Sequence, residues 1–180
     1  MIFQKVAFET RLGWVGIEIK DSKVNRSTLP FNHKRDCLDT ISSWEGIDGY
    51  QSPHFEFLIE KIRGYLSGHN EDLSTIPIEI KTSPSFFSSA WEACRTIPRG
   101  ETRTYKWLAA TAGNQKAVRA AGQAMARNKL PLLVPCHRVI GQNGSLVGFG
   151  KETKQLDLKR RLLQLEQLEK IYNSSYSNVD

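Results

Sequence analysis

Apolar and polar residues alternate imperfectly along Ile2–Phe8 and again along Leu12–Ile19, with a short break between them that fits a hairpin. A third extended piece, Val24–Leu29, closes at Pro30. Residues 31–52 are polar and irregular, with one short helix expected near Cys37–Trp44. From Phe55 the period changes: Leu58, Ile62, Tyr65 and Leu66 fall on one face of a helix, which Ser67-Gly68-His69-Asn70 stops. Ile76–Ile80 reads as a short extended piece, and Lys81-Thr82-Ser83-Pro84 as a linker. Helical spacing dominates beyond it. Phe86–Ile97 is amphipathic and is ended by Pro98-Arg99-Gly100. Thr104 is suited to cap a helix over Tyr105–Thr111. After the turn Ala112-Gly113-Asn114, an alanine-rich helix is expected over Gln115–Asn128. Two short helices around a glycine-containing turn, the second one basic, form a helix-turn-helix pattern. The apolar run Leu130–Pro135 enters Cys136–Ile140, a polar glycine-rich loop covers Gly141–Gly150, and a last helix runs over Leu156–Tyr172. The tail, Asn173–Asp180, is expected to be disordered. The pattern predicts an α/β domain over 1–84, a small antiparallel sheet with helix, and a mainly α domain over 85–172.

At 180 residues with 39% hydrophobic side chains the chain has globular composition and can bury a sizeable core. No apolar run approaches the roughly 18 residues a membrane helix needs, and Met1–Val6 does not read as a signal peptide. Three cysteines, Cys37, Cys94 and Cys136, make an odd and sparse set, which argues against a disulfide framework and for a reducing cytoplasm. The charge is unevenly placed. Residues 1–84 hold 10 Lys and Arg against 12 Asp and Glu, whereas residues 85–180 hold 15 against 7. Between Arg95 and Arg138 nine basic residues face one acid, Glu101. Such a segment suits an anionic partner, nucleic acid among them, and equally describes a solvated basic face.

Cys136 stands between Pro135 and His137, with Arg138 next. Imidazole and cationic neighbours favour the nucleophilic thiolate, and a buried structural cysteine beside a histidine fits the same local chemistry. The other metal-capable side chains (Cys37, Cys94, His33, His54, His69 and His137) show no closed four-ligand spacing, so no metal or cofactor is expected. Arg119 lies in the alanine-rich helix among Ala117, Val118, Ala120, Ala121 and Gly122. These small side chains admit close approach, either of another helix or of a nucleic-acid groove. Gly122 inside a helix costs about 1 kcal/mol against alanine and therefore needs some such reason.

Pro135-Cys136-His137-Arg138-Val139 resembles the signature of the O6-alkylguanine-DNA alkyltransferases, the methylated-DNA–protein-cysteine methyltransferases. Trp91 and the stretch from Ile97 to Tyr105 look like the family's segment upstream of its helix-turn-helix. Leu108-Ala109, Gly113-Asn114, Arg119-Ala120, Gly122 and Asn128 match that motif, while Gly144, Gly148, Leu162-Leu163 and Glu166 match the loop and closing helix. The resemblance implies a small ribonuclease-H-like α/β domain followed by a winged helix-turn-helix domain. It also implies direct repair of double-stranded DNA: Cys136 takes the alkyl group from O6-alkylguanine, and from O4-alkylthymine if that is accepted, in one irreversible turnover after base flipping. By resemblance His137 activates the thiol through a water and Glu166 orients His137. Tyr105 serves the target phosphate and the leaving guanine, and Asn128 tethers the active segment. Arg119 fills the gap left by the flipped base, and Ala120 and Gly122 face the minor groove. Met125, Pro131, Phe149 and Gly150 line the alkyl pocket. The implied protein is a monomer that needs no cofactor. The alternative is a non-catalytic relative that binds alkylated DNA; such relatives replace the acceptor cysteine, which is present here. The chain departs from the family pattern at Val118, at Lys129 and in the segment Lys151–Gln155.

Overall fold

A computed structural model of the chain describes residues 3–49, 53–80, 85–148 and 155–176, with the backbone alone at 54 and 168–176. The linker expected at 81–84 and the last four residues of the expected tail lie outside the described residues. The chain divides into two compact units that are not two consecutive stretches: Met1–Ile80 with Lys129–Leu133, and Lys81–Asn128 with Val134–Asp180.

The first unit is built on strands β1 (Gln4–Thr10), β2 (Gly13–Lys20) and β3 (Lys23–Ser27). β1 and β2 pair antiparallel from Gln4↔Ile19 to Thr10↔Gly13. β2 and β3 are joined by Asp21 and Ser22, both at positive φ, 50° and 63°. Two such residues make the mirror-image turn whose twist matches that of a hairpin. Helix α1 (Lys34–Ser42) then crosses over, so that β4 (Ile47–Asp48) joins β1 in parallel. The sheet, in order β3-β2-β1-β4, is therefore mixed, which corrects the antiparallel expectation. α1 buries Cys37 and Ile41, and helix α2 (Pro53–Leu66) buries Phe55, Leu58, Ile59, Ile62, Tyr65 and Leu66. Val15 to Ile19 are buried without interruption, which means both faces of β2 are covered.

Lys129–Leu133 belongs to this unit through Ser27. The Ser27 amide donates to the Lys129 carbonyl at 2.9 Å, and its hydroxyl Oγ donates to the Pro131 carbonyl at 2.8 Å. Leu130, Leu132 and Leu133 are buried, and Leu132 is held at φ +74°. A bulky residue in that region costs roughly 1–3 kcal/mol and persists only where its surroundings dictate it.

In the second unit helices α3 (Phe86–Arg95), α4 (Tyr105–Thr111) and α5 (Val118–Ala126) pack on one another. Ser85 caps α3 and Thr104 caps α4, their hydroxyls accepting from the Ser88 and Trp107 amides. α3 stops two residues before Ile97. α5 is also shorter than Gln115–Asn128, because the Asn114 side chain accepts from the Lys116 amide at 3.1 Å and holds the chain in a turn before Val118. Strands β5 (Arg103–Thr104) and β6 (Val139–Ile140) pair in parallel. Helix α6 (Leu156–Tyr176) continues four residues beyond Tyr172, so residues 173–176 are helical rather than irregular. Among the described residues no helix is long and apolar enough to cross a membrane.

Candidate active site

Cys136 opens a single 3₁₀ turn, Cys136–Arg138, between Pro135 and β6. Three residues per turn send successive side chains in three directions, and all three are buried: Cys136 at 6% exposure, His137 at 0% and Arg138 at 9%. α6 brings in Glu166, which is 1% exposed. One Glu166 carboxyl oxygen lies 2.9 Å from His137 Nε2 and 2.8 Å from Arg138 Nη2, and Arg138 Nε donates to both oxygens at 3.1 and 3.2 Å. The Gly100 amide donates to the second oxygen at 3.1 Å. Arg138 Nη1 also donates to the Ile97 carbonyl at 2.7 Å. One carboxylate therefore gathers the turn before β5, the histidine and the arginine.

Behind Cys136, Asn128 Nδ2 donates to the Val134 carbonyl at 2.9 Å, and the Cys136 amide donates to the same carbonyl at 2.7 Å. The Asn128 side chain also hydrogen-bonds the Cys136 thiol. Lys159 of α6 is fully buried, with Nζ donating to the Val139 carbonyl at 2.6 Å and the Val147 carbonyl at 3.0 Å. Tyr105 Oη donates to the Val147 and Gly148 carbonyls at 3.3 and 3.2 Å.

Burial pushes the Cys136 thiol up; the Asn128 hydrogen bond and then the Lys159 charge act against it. Burial lowers His137 against the upward pull of Glu166, so the imidazole is neutral at neutral pH. Burial alone would raise Glu166, but His137 and Arg138 outweigh it and hold the carboxyl well below its ordinary range. With His137 neutral, the permanent cation facing Glu166 is Arg138. Burial lowers Lys159 to about 8, opposed by Cys136 and Cys94. Burial raises Tyr105 to about 12, and the neighbouring Cys136 adds to the rise.

A cavity of about 730 Å³ is walled by Tyr105, Val118, Arg119, Gly122, Gln123 and Gly148, among others. Arg119 is exposed, and a Cβ built on Gly122 meets no atom within 4 Å. The second unit therefore gives no packing reason for this helical glycine. Ala120 and Met125 do not line the cavity; Ala120 is half-buried and Met125 is buried. Pro131 is buried in the first unit. Phe149 and Gly150 lie outside the described residues. The structure thus gathers Cys136, His137, Glu166 and Asn128 in one cluster and Tyr105, Arg119 and Gly122 around one cavity. Tyr105 is common to both, since it walls the cavity and Cys136 is near enough to add to the rise of its pKa. Among the described residues no group of three or more His, Cys, Asp or Glu is placed to hold a metal.

Sequence reasoning passed over Lys159 and the ion pair of Arg138 with Glu166. A signal was available for the first: Lys159 and Glu166 are seven residues apart, two turns on one face of α6. Cys94, named among the metal-capable side chains, is buried, and Cys136 adds to the upward push that burial gives its thiol.

A buried cysteine, a histidine held by a carboxylate, and a cavity walled by the arginine-bearing α5 are set here in an α/β architecture. Residues 85–168 match the family model described as 6-O-methylguanine DNA methyltransferase, DNA binding domain. A constitutive methylated-DNA–protein-cysteine methyltransferase of Bacillus subtilis is 35% identical over 161 residues, 89% of this chain and 93% of the relative. The crystal structure of Mycobacterium tuberculosis O6-methylguanine methyltransferase is similar at TM-score 0.73 and 26% identity, covering 92% of this chain and 93% of that one. A structure of the M. tuberculosis protein in complex with DNA gives TM-score 0.73 and 27% identity, covering 91% and 92%. The chain belongs to the methylated-DNA–protein-cysteine methyltransferase family.

Proposed function

We propose that this protein repairs alkylated double-stranded DNA by moving the alkyl group from O6 of guanine onto Cys136, once per molecule. The observation that carries the reading is the His137–Glu166 hydrogen bond, fully buried beside the family's acceptor cysteine. With Nε2 donating to Glu166, the imidazole lone pair sits on Nδ1 and accepts the thiol proton through a bridging water. The ionised Glu166 stabilises the imidazolium that results. The thiolate attacks the alkyl carbon; the sulfur–carbon bond forms as the carbon–O6 bond breaks, and the electron pair leaves on guanine. The Tyr105 hydroxyl, kept protonated by its raised pKa, donates to the departing purine. The product thioether has no leaving group that water displaces, so each molecule reacts once.

Reaching O6 in a duplex requires an extruded base, which costs a few kcal/mol and least for a weakly paired lesion. Arg119, exposed on the cavity wall, fills the vacated stack, and the small residues around Gly122 let the minor groove approach. Asn128 fixes the acceptor segment, and Phe149 and Gly150 shape the space for the alkyl group. The first unit is read as ribonuclease-H-like, supported by its hairpin sheet with crossover helices. α4 and α5 are read as a winged helix-turn-helix, supported by their capped, glycine-turned pair. The working form is a monomer in the cytoplasm.

The test is intact-protein mass after incubation with a duplex carrying one O6-methylguanine, followed by peptide mapping. One added methyl on the Cys136 peptide, saturating at one per protein, is expected. Bound duplex with no mass change defeats the reading and leaves a lesion-binding protein.

A further inference from the structure

We propose that Ser27 is a positioning residue for the acceptor cysteine, acting from β3 through the segment Lys129–Leu133, which is buried from Leu130 onward. The inference rests on the alkyl-transfer reading above and adds a residue to it. Between Asn128 and Val134 the chain leaves the second unit for five residues and returns two residues before Cys136. The exit and the return are tied directly, because Asn128 Nδ2 donates to the Val134 carbonyl and the Cys136 amide donates to that same carbonyl. The Asn128 amide also bonds the thiol itself. The position of Asn128 relative to Val134 therefore sets the surroundings of Sγ, and that position depends on the path of the five residues between them.

That path is held at two points by one residue. The Ser27 amide takes the Lys129 carbonyl, and the Ser27 hydroxyl takes the Pro131 carbonyl, 104 residues away in sequence. Ser27 is itself buried, as are Pro131 and the flanking leucines, so water does not compete for the hydroxyl's bond to the Pro131 carbonyl. Leu132 follows at once with φ +74°, a conformation a leucine does not choose locally. A backbone so placed is bistable: without the grip on Pro131, Leu132 has an ordinary conformation to relax into. Relaxation there shifts Val134, loosens the Asn128 bond and changes the thiol's environment while the cavity wall on α4 and α5 stays intact.

The experiment compares wild type with Ser27→Ala and Ser27→Thr in three measurements. The first is the single-turnover transfer rate at saturating O6-methylguanine duplex. The second is duplex affinity in a Cys136→Ala background. The third is the pH profile of Cys136 alkylation by iodoacetamide, resolved by peptide mapping. Ser27→Ala is expected to slow transfer about tenfold, the scale of one buried hydrogen bond expressed in a barrier. It is expected to leave duplex affinity unchanged and to move the iodoacetamide profile to higher pH. Ser27→Thr, which keeps the hydroxyl, is expected to restore both rate and profile. Should Ser27→Ala melt below the assay temperature, Ser27→Cys replaces it, keeping the volume with only a weak donor. A wild-type rate and profile in Ser27→Ala overturns the proposal, as does equal loss of affinity and rate, or a Ser27→Thr that behaves like Ser27→Ala. The iodoacetamide profile needs no DNA. A wild type that transfers no methyl while the profile still shifts would refute the repair reading and keep the positioning role.

Discussion

Replacing Gly122 with alanine separates what α5 does for folding from what it does for a partner. The glycine sits inside the helix at an ordinary helical φ, and an added Cβ meets nothing within 4 Å. The substitution therefore gains the whole propensity difference without a clash, about 0.5–1 kcal/mol. For a chain of this size that raises the melting temperature by roughly 1–4 °C. The same methyl group stands on the cavity wall beside Arg119, where the DNA backbone and minor groove are expected to come close. Overpacking a tight contact costs about 1–3 kcal/mol, which weakens duplex affinity roughly 5- to 150-fold. Calorimetric melting reads the first effect. Fluorescence anisotropy with an O6-methylguanine duplex, in a Cys136→Ala background that stops the reaction, reads the second. Stability and affinity should move in opposite directions. A melting temperature that does not rise would mean the protein itself uses this face. A rise with unchanged affinity would mean that DNA does not approach Gly122.

Arg119→Ala should slow repair in duplex DNA far more than reaction with free O6-methylguanine base, and equal losses in both assays would remove its role in the flipped state. Glu166→Gln leaves Arg138 buried without its counter-charge and should cost about 3–5 kcal/mol in urea unfolding; a loss below about 1 kcal/mol would class the pair with surface ion pairs. His137 and Glu166 both have lowered folded-state pKa values, so in acid the unfolded chain binds more protons than the folded one. Stability should be complete above the ordinary histidine value of 6.5, fall first with His137 and fall again below the ordinary glutamate value of 4.5 with Glu166. The second step should vanish in Glu166→Gln, and a flat profile from neutral pH into acid would contradict the assignment. Lys159→Met removes the ammonium that holds the Val139 and Val147 carbonyls and should slow transfer about tenfold or more with duplex affinity kept. A wild-type transfer rate would reduce Lys159 to a packing residue.

Much of the architecture could be read from local rules. α4 runs over Tyr105–Thr111 as expected because its two ends are marked by side chains, Thr104 at the start and the Ala112-Gly113 turn at the finish. β1 and β2 follow their patterning, and Pro135–Val139 was legible as a family motif. What escaped has one physical origin: burial of groups that look like surface. Lys159 in an amphipathic helix reads as a solvated lysine, and only the fold supplies the two carbonyls that satisfy its ammonium. Arg138 hides in the same way behind its neighbour Cys136. β4 is two residues long in a polar stretch, with too few side chains to show a period. The early end of α3 and the late start of α5 turn on caps and an Asx turn, where one hydrogen bond outweighs propensity. Leu130–Leu133 reads as an ordinary apolar run, and nothing local says which core it enters.

That last segment has a consequence for how the protein can be taken apart. In the gene, residues 129–133 travel with the second unit; in the folded chain they belong to the first. A fragment cut at the linker carries Leu130, Leu132 and Leu133, each at most 4% exposed in the whole protein, with their own core left behind. The chain of the second unit is thus interrupted by five residues of the first, and those five lead into the Cys136 segment. A fragment beginning at Phe86 would keep Cys136, His137, Glu166 and Asn128 and still carry a bare apolar loop. Co-expression of the missing half, rather than a longer tether, is what would make such a fragment soluble.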